Sequence, residues 1–152
     1  MGDQWTIAGA RALGINARFR CYRYVEGDYF KPHTDGSWPG SEVNERTGQL
    51  EWDAYRDRWS QLTFLVLLSD GYAGGRTIFH VDMDGEIRDV AVKTPKGGVL
   101  IFPHGGHPLH QMHSGELVEG GEKYMIRTEV LYERNADTDA LQRSWFRNGA
   151  GQ

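Results

Sequence analysis

Hydrophobic and polar positions in this chain alternate with a period of two over several short stretches, and turn residues punctuate them. Residues 18–25 alternate polar groups with Tyr and Phe, and residues 29–35 follow a Gly27-Asp28 turn, so both stretches predict strands. The most apolar run, Leu62-Thr63-Phe64-Leu65-Val66-Leu67-Leu68, is bounded by turn signals and suits a buried strand better than a helix. Residues 77–81 and 87–92 flank Asp84-Gly85, a hairpin signal. Pro95-Lys96-Gly97-Gly98 turns into a strand over 99–102, and residues 123–132 form the last clear strand. Helices are predicted only at the ends. One spans 5–13, stopped by Gly14, and one spans 137–146, with Asp137 or Thr138 as N-cap. Residues 36–58 form a long polar insertion carrying Trp38, Trp52 and Tyr55, with one helical turn near 53–58. Short strands with Gly/Pro turns predict a mainly β fold, a β-sandwich or jelly-roll barrel.

Composition narrows the function classes. The 152 residues suffice for a single domain with a real core, and 39% are hydrophobic. A net charge of -4 leaves no electrostatic footprint for nucleic acid. Cys21 is the only cysteine, which excludes an internal disulfide and favours a reducing, cytoplasmic or otherwise intracellular setting. No apolar run reaches the length of a membrane helix, and no signal peptide is visible. Gly2 and Thr6 match a myristoylation pattern that is short enough to recur by chance.

The candidate chemistry begins at His33 and Asp35. Two positions apart on a strand, they face the same side and can grip one metal ion together. A second histidine would complete a two-His, one-carboxylate facial triad, the pattern of non-haem Fe(II) oxygenases. His80, His104, His107, His110 and His113 compete for that place. His104 and His107 lie in a Gly-rich loop and read as solvated. His113 is favoured over His110 because Lys123 lies ten positions beyond it, on the following strand. A cation there can hold the far carboxylate of a bound 2-oxo acid. Gly74-Gly75-Arg76-Thr77 reads as a tight turn and not a phosphate loop, because it precedes a strand.

An ordered series accompanies these residues: Tyr24-x-x-Gly27, His33-x-Asp35, the 62–68 run, Gly74-Gly75-x-Thr77-x-Phe79, Pro95-x-x-Gly98-x-Leu100-x-Phe102, His113-x-Gly115 and Lys123-Tyr124. Over residues 18–132 the chain resembles the prolyl 4-hydroxylase-like branch of the Fe(II)/2-oxoglutarate-dependent dioxygenases. The resemblance implies a double-stranded β-helix (jelly-roll, cupin-like) core with short flanking helices. It implies His33, Asp35 and His113 as iron ligands and Lys123 as the partner of the far carboxylate of 2-oxoglutarate. Tyr24 matches a tyrosine whose hydroxyl helps hold that co-substrate, although Tyr22 shares its face and can exchange roles with it. Thr63 matches a strand residue lining the same pocket. Arg127, on the strand face of Lys123, is a second anion anchor, a substrate contact or a surface ion pair.

The cofactors so implied are Fe(II), 2-oxoglutarate and O₂, with ascorbate a further candidate. The expected reaction hydroxylates a peptidyl proline or a small molecule and releases succinate and CO₂. Asp35 speaks against halogenation, since related halogenases lack this carboxylate. The 36–58 insertion is the candidate lid. Relatives carry considerable sequence before the strand bearing Tyr24, whereas 17 residues precede Arg18 here, so the expectation is a fragment or a minimal form. Two other readings stand beside the oxygenase. One is a non-catalytic jelly-roll binding module that retains the metal site. The other is a zinc hydrolase, in which Lys123 and Tyr24 would have no purpose.

Overall fold

A computed structural model describes residues 6–147 of the chain. In chain order the strands are β1 (Thr6–Ile7), β2 (Ala10–Ile15), β3 (Arg20–Tyr24), β4 (Phe30–His33), β5 (Glu42–Val43), β6 (Leu50–Glu51) and β7 (Arg58–Leu67). There follow β8 (Ala73–Gly74), β9 (Thr77–Met83), β10 (Glu86–Val92), β11 (Val99–Pro103), β12 (Met112–Gly115), β13 (Val118–Gly120) and β14 (Lys123–Glu133). Helix α1 (Ala136–Arg147) closes the described chain. The curled antiparallel sheets form the jelly-roll core that the strand pattern predicts.

Two sheets carry the architecture. The six-stranded sheet runs β1-β2-β14-β7-β11, with β3 also paired to β14. The four-stranded sheet runs β10-β9-β12-β4. Between them Leu65, Leu67, Phe102 and Met125 form the buried cluster, with Tyr22, Tyr24, Phe79 and Leu100 packed against it. The alternation of β7 explains its side of this core. Thr63, Leu65 and Leu67 point inward and are buried, while Leu62, Phe64 and Val66 face out. The Asp84-Gly85 hairpin joins β9 to β10 as its sequence requires, with both residues at positive φ (58° and 85°).

Three expectations need correction. The stretch read as a helix over 5–13 is instead the β1–β2 hairpin, with Thr6 opposite Arg11 and Ile7 opposite Ala10. Its turn residues, Ala8 and Gly9, sit at φ 49° and 71°, and β2 pairs with β14. Tertiary pairing thus overrides the helix preference of Ala and Leu. Trp5 and Gly2 lie outside the described residues. Residues 53–58 make no helical turn, because Asp53 and Arg56 adopt positive φ (50° and 59°). Finally, α1 starts one residue before the predicted span, and its N-cap is Asn135. The Asn135 side chain accepts the Thr138 N–H at 2.8 Å, and the Thr138 hydroxyl accepts the Asn135 N–H at 2.9 Å.

Candidate metal centre between two cavities

Strand pairing assembles the site. β12 pairs with β4 so that His113 lies opposite His33, and Asp35 follows β4 by two residues. The donor atoms of His33, Asp35 and His113 lie within 4.8 Å of one another, a set able to hold one ion. His33 Nε2 is 3.4 Å from Asp35 Oδ1, and His113 Nε2 is 3.7 Å from Asp35 Oδ2. Each imidazole has its other nitrogen committed. Nδ1 of His33 donates to the Lys31 carbonyl at 2.8 Å, and Nδ1 of His113 to the Gln111 carbonyl at 3.1 Å. Each ring thereby turns Nε2 toward Asp35, where it bonds the carboxylate when protonated and offers its lone pair to a metal when neutral. Two imidazole nitrogens and one carboxylate oxygen on one side of a point fit a divalent ion such as Fe(II). The fit therefore holds on the chemistry and tautomers of the donors.

Asp35 is held at both oxygens and is almost wholly buried. Arg127 Nη2 bonds Asp35 Oδ1 at 2.9 Å, and the Thr63 hydroxyl donates to Oδ2 at 2.6 Å. Burial alone would push the carboxyl up, but the adjoining His33, Arg127, His113 and Thr63 outweigh it and hold it well below the usual carboxylate range. Asp35 is therefore ionised and ready to bind a cation. Burial lowers the His113 imidazole, with Asp35 opposing, which favours the neutral form a ligand needs.

Behind Thr63 runs a chain of buried hydrogen bonds. The threonine's single proton goes to Asp35, so its oxygen accepts Nδ1–H of His104 at 2.8 Å. His104 Nε2 then accepts the Ser60 hydroxyl at 2.8 Å, and Ser60 Oγ accepts the Trp38 backbone N–H at 2.8 Å. Burial lowers the His104 imidazole to about 4, so it stays neutral and can play both parts.

A narrow inner cavity of about 60 Å³ lies on one side of the triad. It brings together Tyr22, Tyr24, His33, Asp35, His113, Lys123 and Arg127. Lys123 is buried, and among the described residues no carboxylate pairs with it; its Nζ donates to the Gly75 carbonyl at 2.7 Å. Burial, helped by Lys93, lowers the ammonium to about 8, with Glu116 opposing. Gly74 and Gly75 supply the predicted positive-φ turn (64° and 63°) and set that carbonyl. Tyr24 faces Lys123 across the β3–β14 pair, its ring 5.6 Å from Nζ, and burial next to Tyr22 pushes its hydroxyl up.

A broad cleft of about 800 Å³ shares Phe30, His33, Asp35 and Arg127 with the inner cavity. Trp38, Trp52, Trp59, Trp145, Phe30 and Phe146 line it, and His33, Asp35 and Arg127 form its floor. Gly36 lets this wall approach, because a Cβ there would stand 2.8 Å from the Trp145 ring.

The structure thus gathers His33, Asp35, His113, Lys123, Tyr24 and Arg127, and it moves two expected roles. Thr63 does not line the inner cavity; fully buried on β7, it stands behind Asp35. Arg127 is not a surface ion pair, and its Nη2 is engaged by Asp35 rather than open to an incoming anion. His104 is buried where a solvated residue was expected. The signal was its parity, since it falls two after inward-facing Phe102. His80 bonds Asp89 and Ser114 and lines neither cavity. Trp59 and Trp145 carried no sequence signal as site residues.

Neither a family model nor a curated protein matches the chain. Solved structures do. A 2OG-Fe(II) oxygenase family oxidoreductase from Burkholderia pseudomallei superposes with TM-score 0.50 at 15% identity, covering 80% of this chain and 43% of that one. A Pseudomonas putida prolyl-4-hydroxylase gives TM-score 0.47 at 16% identity, covering 77% and 52%. The collagen prolyl hydroxylase of Paramecium Bursaria Chlorella virus-1, in complex with 2OG, gives 0.39 at 19%, covering 79% and 63%. The chain therefore spans less than two thirds of the length of these structures. The first of them shows that the jelly-roll fold is shared.

Proposed function

We propose that the chain is a non-haem Fe(II)- and 2-oxoglutarate-dependent dioxygenase that hydroxylates a peptidyl proline or a small molecule, releasing succinate and CO₂. One observation carries the reading: a single cavity holds a His–Asp–His donor set and a buried lysine that no carboxylate pairs with among the described residues. A buried cation lacking an anion is costly, and a dicarboxylate co-substrate would supply the missing partner. A zinc hydrolase would leave that lysine idle.

His33, Asp35 and His113 would hold the metal, which when bound supplies the O₂-dependent oxidising chemistry. The two imidazoles present Nε2 because their Nδ1 protons are tied to backbone carbonyls. Asp35 stays ionised, and Arg127 and Thr63 keep its two oxygens in place. Lys123 leaves the Gly75 carbonyl to pair with the far carboxylate, and the Tyr24 hydroxyl donates to the same molecule. Leu65, Phe102, Val118 and Met125 wall the cavity with apolar surface that keeps water from the co-substrate. The broad cleft admits the molecule to be oxidised. Ascorbate belongs to the proposal as a further cofactor. No helix among the described residues is long and apolar enough to cross a membrane.

The test is to load the protein with Fe(II) and 2-oxoglutarate without oxygen, admit oxygen, and measure succinate. Succinate in stoichiometric or greater yield supports the proposal; folded, iron-loaded protein that yields none contradicts it.

A further inference from the structure

The chemistry of the ring-lined cleft restricts what it can take. Four tryptophans and two phenylalanines form its walls, and among the described residues the only charged side chains lining it are Asp35 and Arg127, which pair with each other. Apart from Asp35 it therefore offers no carboxylate to a positively charged ligand. Aromatic faces can bind cations, but two of these are already taken. The Arg18 guanidinium lies 5.0 Å from the Trp38 ring centre and 4.1 Å from that of Trp52, and Arg20 lies 5.6 Å from Trp38. Arg20 is neutralised by Glu129, whereas Arg18 has no ion-pair partner among the described residues. The Trp38 and Trp52 faces thus already hold a guanidinium, that of Arg18.

An extended peptide fits poorly as well. Each buried peptide unit needs a donor and an acceptor. Besides the triad residues and Arg127, the described polar side chains of the cleft are Thr34, Ser37 and four indole N–H donors, of which the Ser37 hydroxyl and the Trp38 and Trp145 N–H are buried, so acceptors for peptide N–H groups are scarce. The volume, about 800 Å³, falls within the roughly 300–1,000 Å³ typical of small-molecule sites.

We propose that the cleft binds a small, flat, apolar molecule of neutral or negative charge, stacked among Trp38, Trp52, Trp59 and Trp145. That this molecule is the one oxidised rests on the dioxygenase reading above; the binding itself does not.

Calorimetry on the metal-free full chain tests it with two probes of one shape and opposite charge, naphthalene-2-carboxylate and naphthalene-2-carboxamidinium, and with a short proline-rich peptide. The carboxylate should bind at least about tenfold more tightly than the amidinium. Trp52→Ala, on an exposed part of the wall, and Trp145→Ala should each weaken it by about three- to tenfold. Arg18→Gln should narrow the gap between the two probes, and Lys123→Ala should leave carboxylate binding unchanged. The proposal is overturned if the amidinium or the peptide binds as tightly as the carboxylate or more tightly. It is also overturned if neither tryptophan variant changes the affinity, or if Lys123→Ala abolishes it, which would place the probe in the inner cavity. No iron or 2-oxoglutarate enters this experiment. Its failure leaves the dioxygenase reading standing, and absence of succinate leaves the cleft assignment standing.

Discussion

The two cavities at the triad are built on opposite principles. The inner cavity is narrow, is formed largely by side chains on paired strands, and contains the buried Lys123, whose Nζ donates to the Gly75 carbonyl. The outer cleft is more than ten times larger, is assembled from segment 34–39, Trp52, Trp59 and the last turn of α1, and is lined by rings. Strand register fixes directions within the inner cavity: Lys123 stands opposite Tyr24, and His113 opposite His33. That suits a site that holds one invariant small molecule. Loops, a helix end and strand residues Phe30 and Trp59 form the outer wall, and loops are the part of a fold that varies without disturbing the core.

The sharpest way to break this contrast is to remove the element both sides share. His113→Ala or Asp35→Ala should reduce Fe(II) affinity by more than about 100-fold, whereas His110→Ala should leave it unchanged. Equilibrium dialysis decides, and loss in His110→Ala alone would move the ligand. Next in size, Lys123→Ala should raise the 2-oxoglutarate concentration required by about 10- to 100-fold while iron affinity stays constant. An unchanged requirement would return the anchoring role to Arg127.

The protonation state of Lys123 gives a related test. Its ammonium is held down to about 8 by burial, and only the charged form pairs with a carboxylate. Affinity for 2-oxoglutarate should therefore be level below that pH and fall as pH rises through it, by up to about tenfold per unit. Titration across this range in wild type and Lys123→Ala should show the fall in wild type alone.

Behind the triad the effects become smaller. Thr63→Val strips the hydroxyl from Asp35 and leaves the His104 N–H without an acceptor, so iron affinity should drop by about tenfold. Smallest of all, Trp52→Ala should change affinity for iron and 2-oxoglutarate by less than about twofold. A larger change would mean that the two sides are not separate.

How much of this could be read from the chain follows from periodicity. The 62–68 run, the Asp84-Gly85 hairpin and the 123–132 strand were legible because alternation and turn chemistry agree with the tertiary structure. His33, Asp35 and His113 were legible as a chemical set, and Lys123 by its spacing. Residues 5–13 were misread because Ala and Leu signal helix locally while β14 requires a partner strand. Thr63 and Arg127 were expected in the pocket on other grounds, and the structure sets both against Asp35, since one-dimensional spacing does not say which inward-facing side chain reaches it. Parity with Phe102 marks His104 as inward-facing, but its hydrogen-bond relay and the ring wall of Trp59 and Trp145 depend on contacts between distant segments, for which the sequence holds no local signal.

The central claim is that iron and 2-oxoglutarate share the inner cavity. Its most direct measurement is the visible metal-to-ligand charge-transfer band on anaerobic titration of Fe(II)-loaded protein with 2-oxoglutarate. The account predicts a band that saturates at one equivalent in wild type and needs far more co-substrate in Lys123→Ala. Iron-loaded, folded wild type that shows no band, or a band indifferent to Lys123, would contradict it.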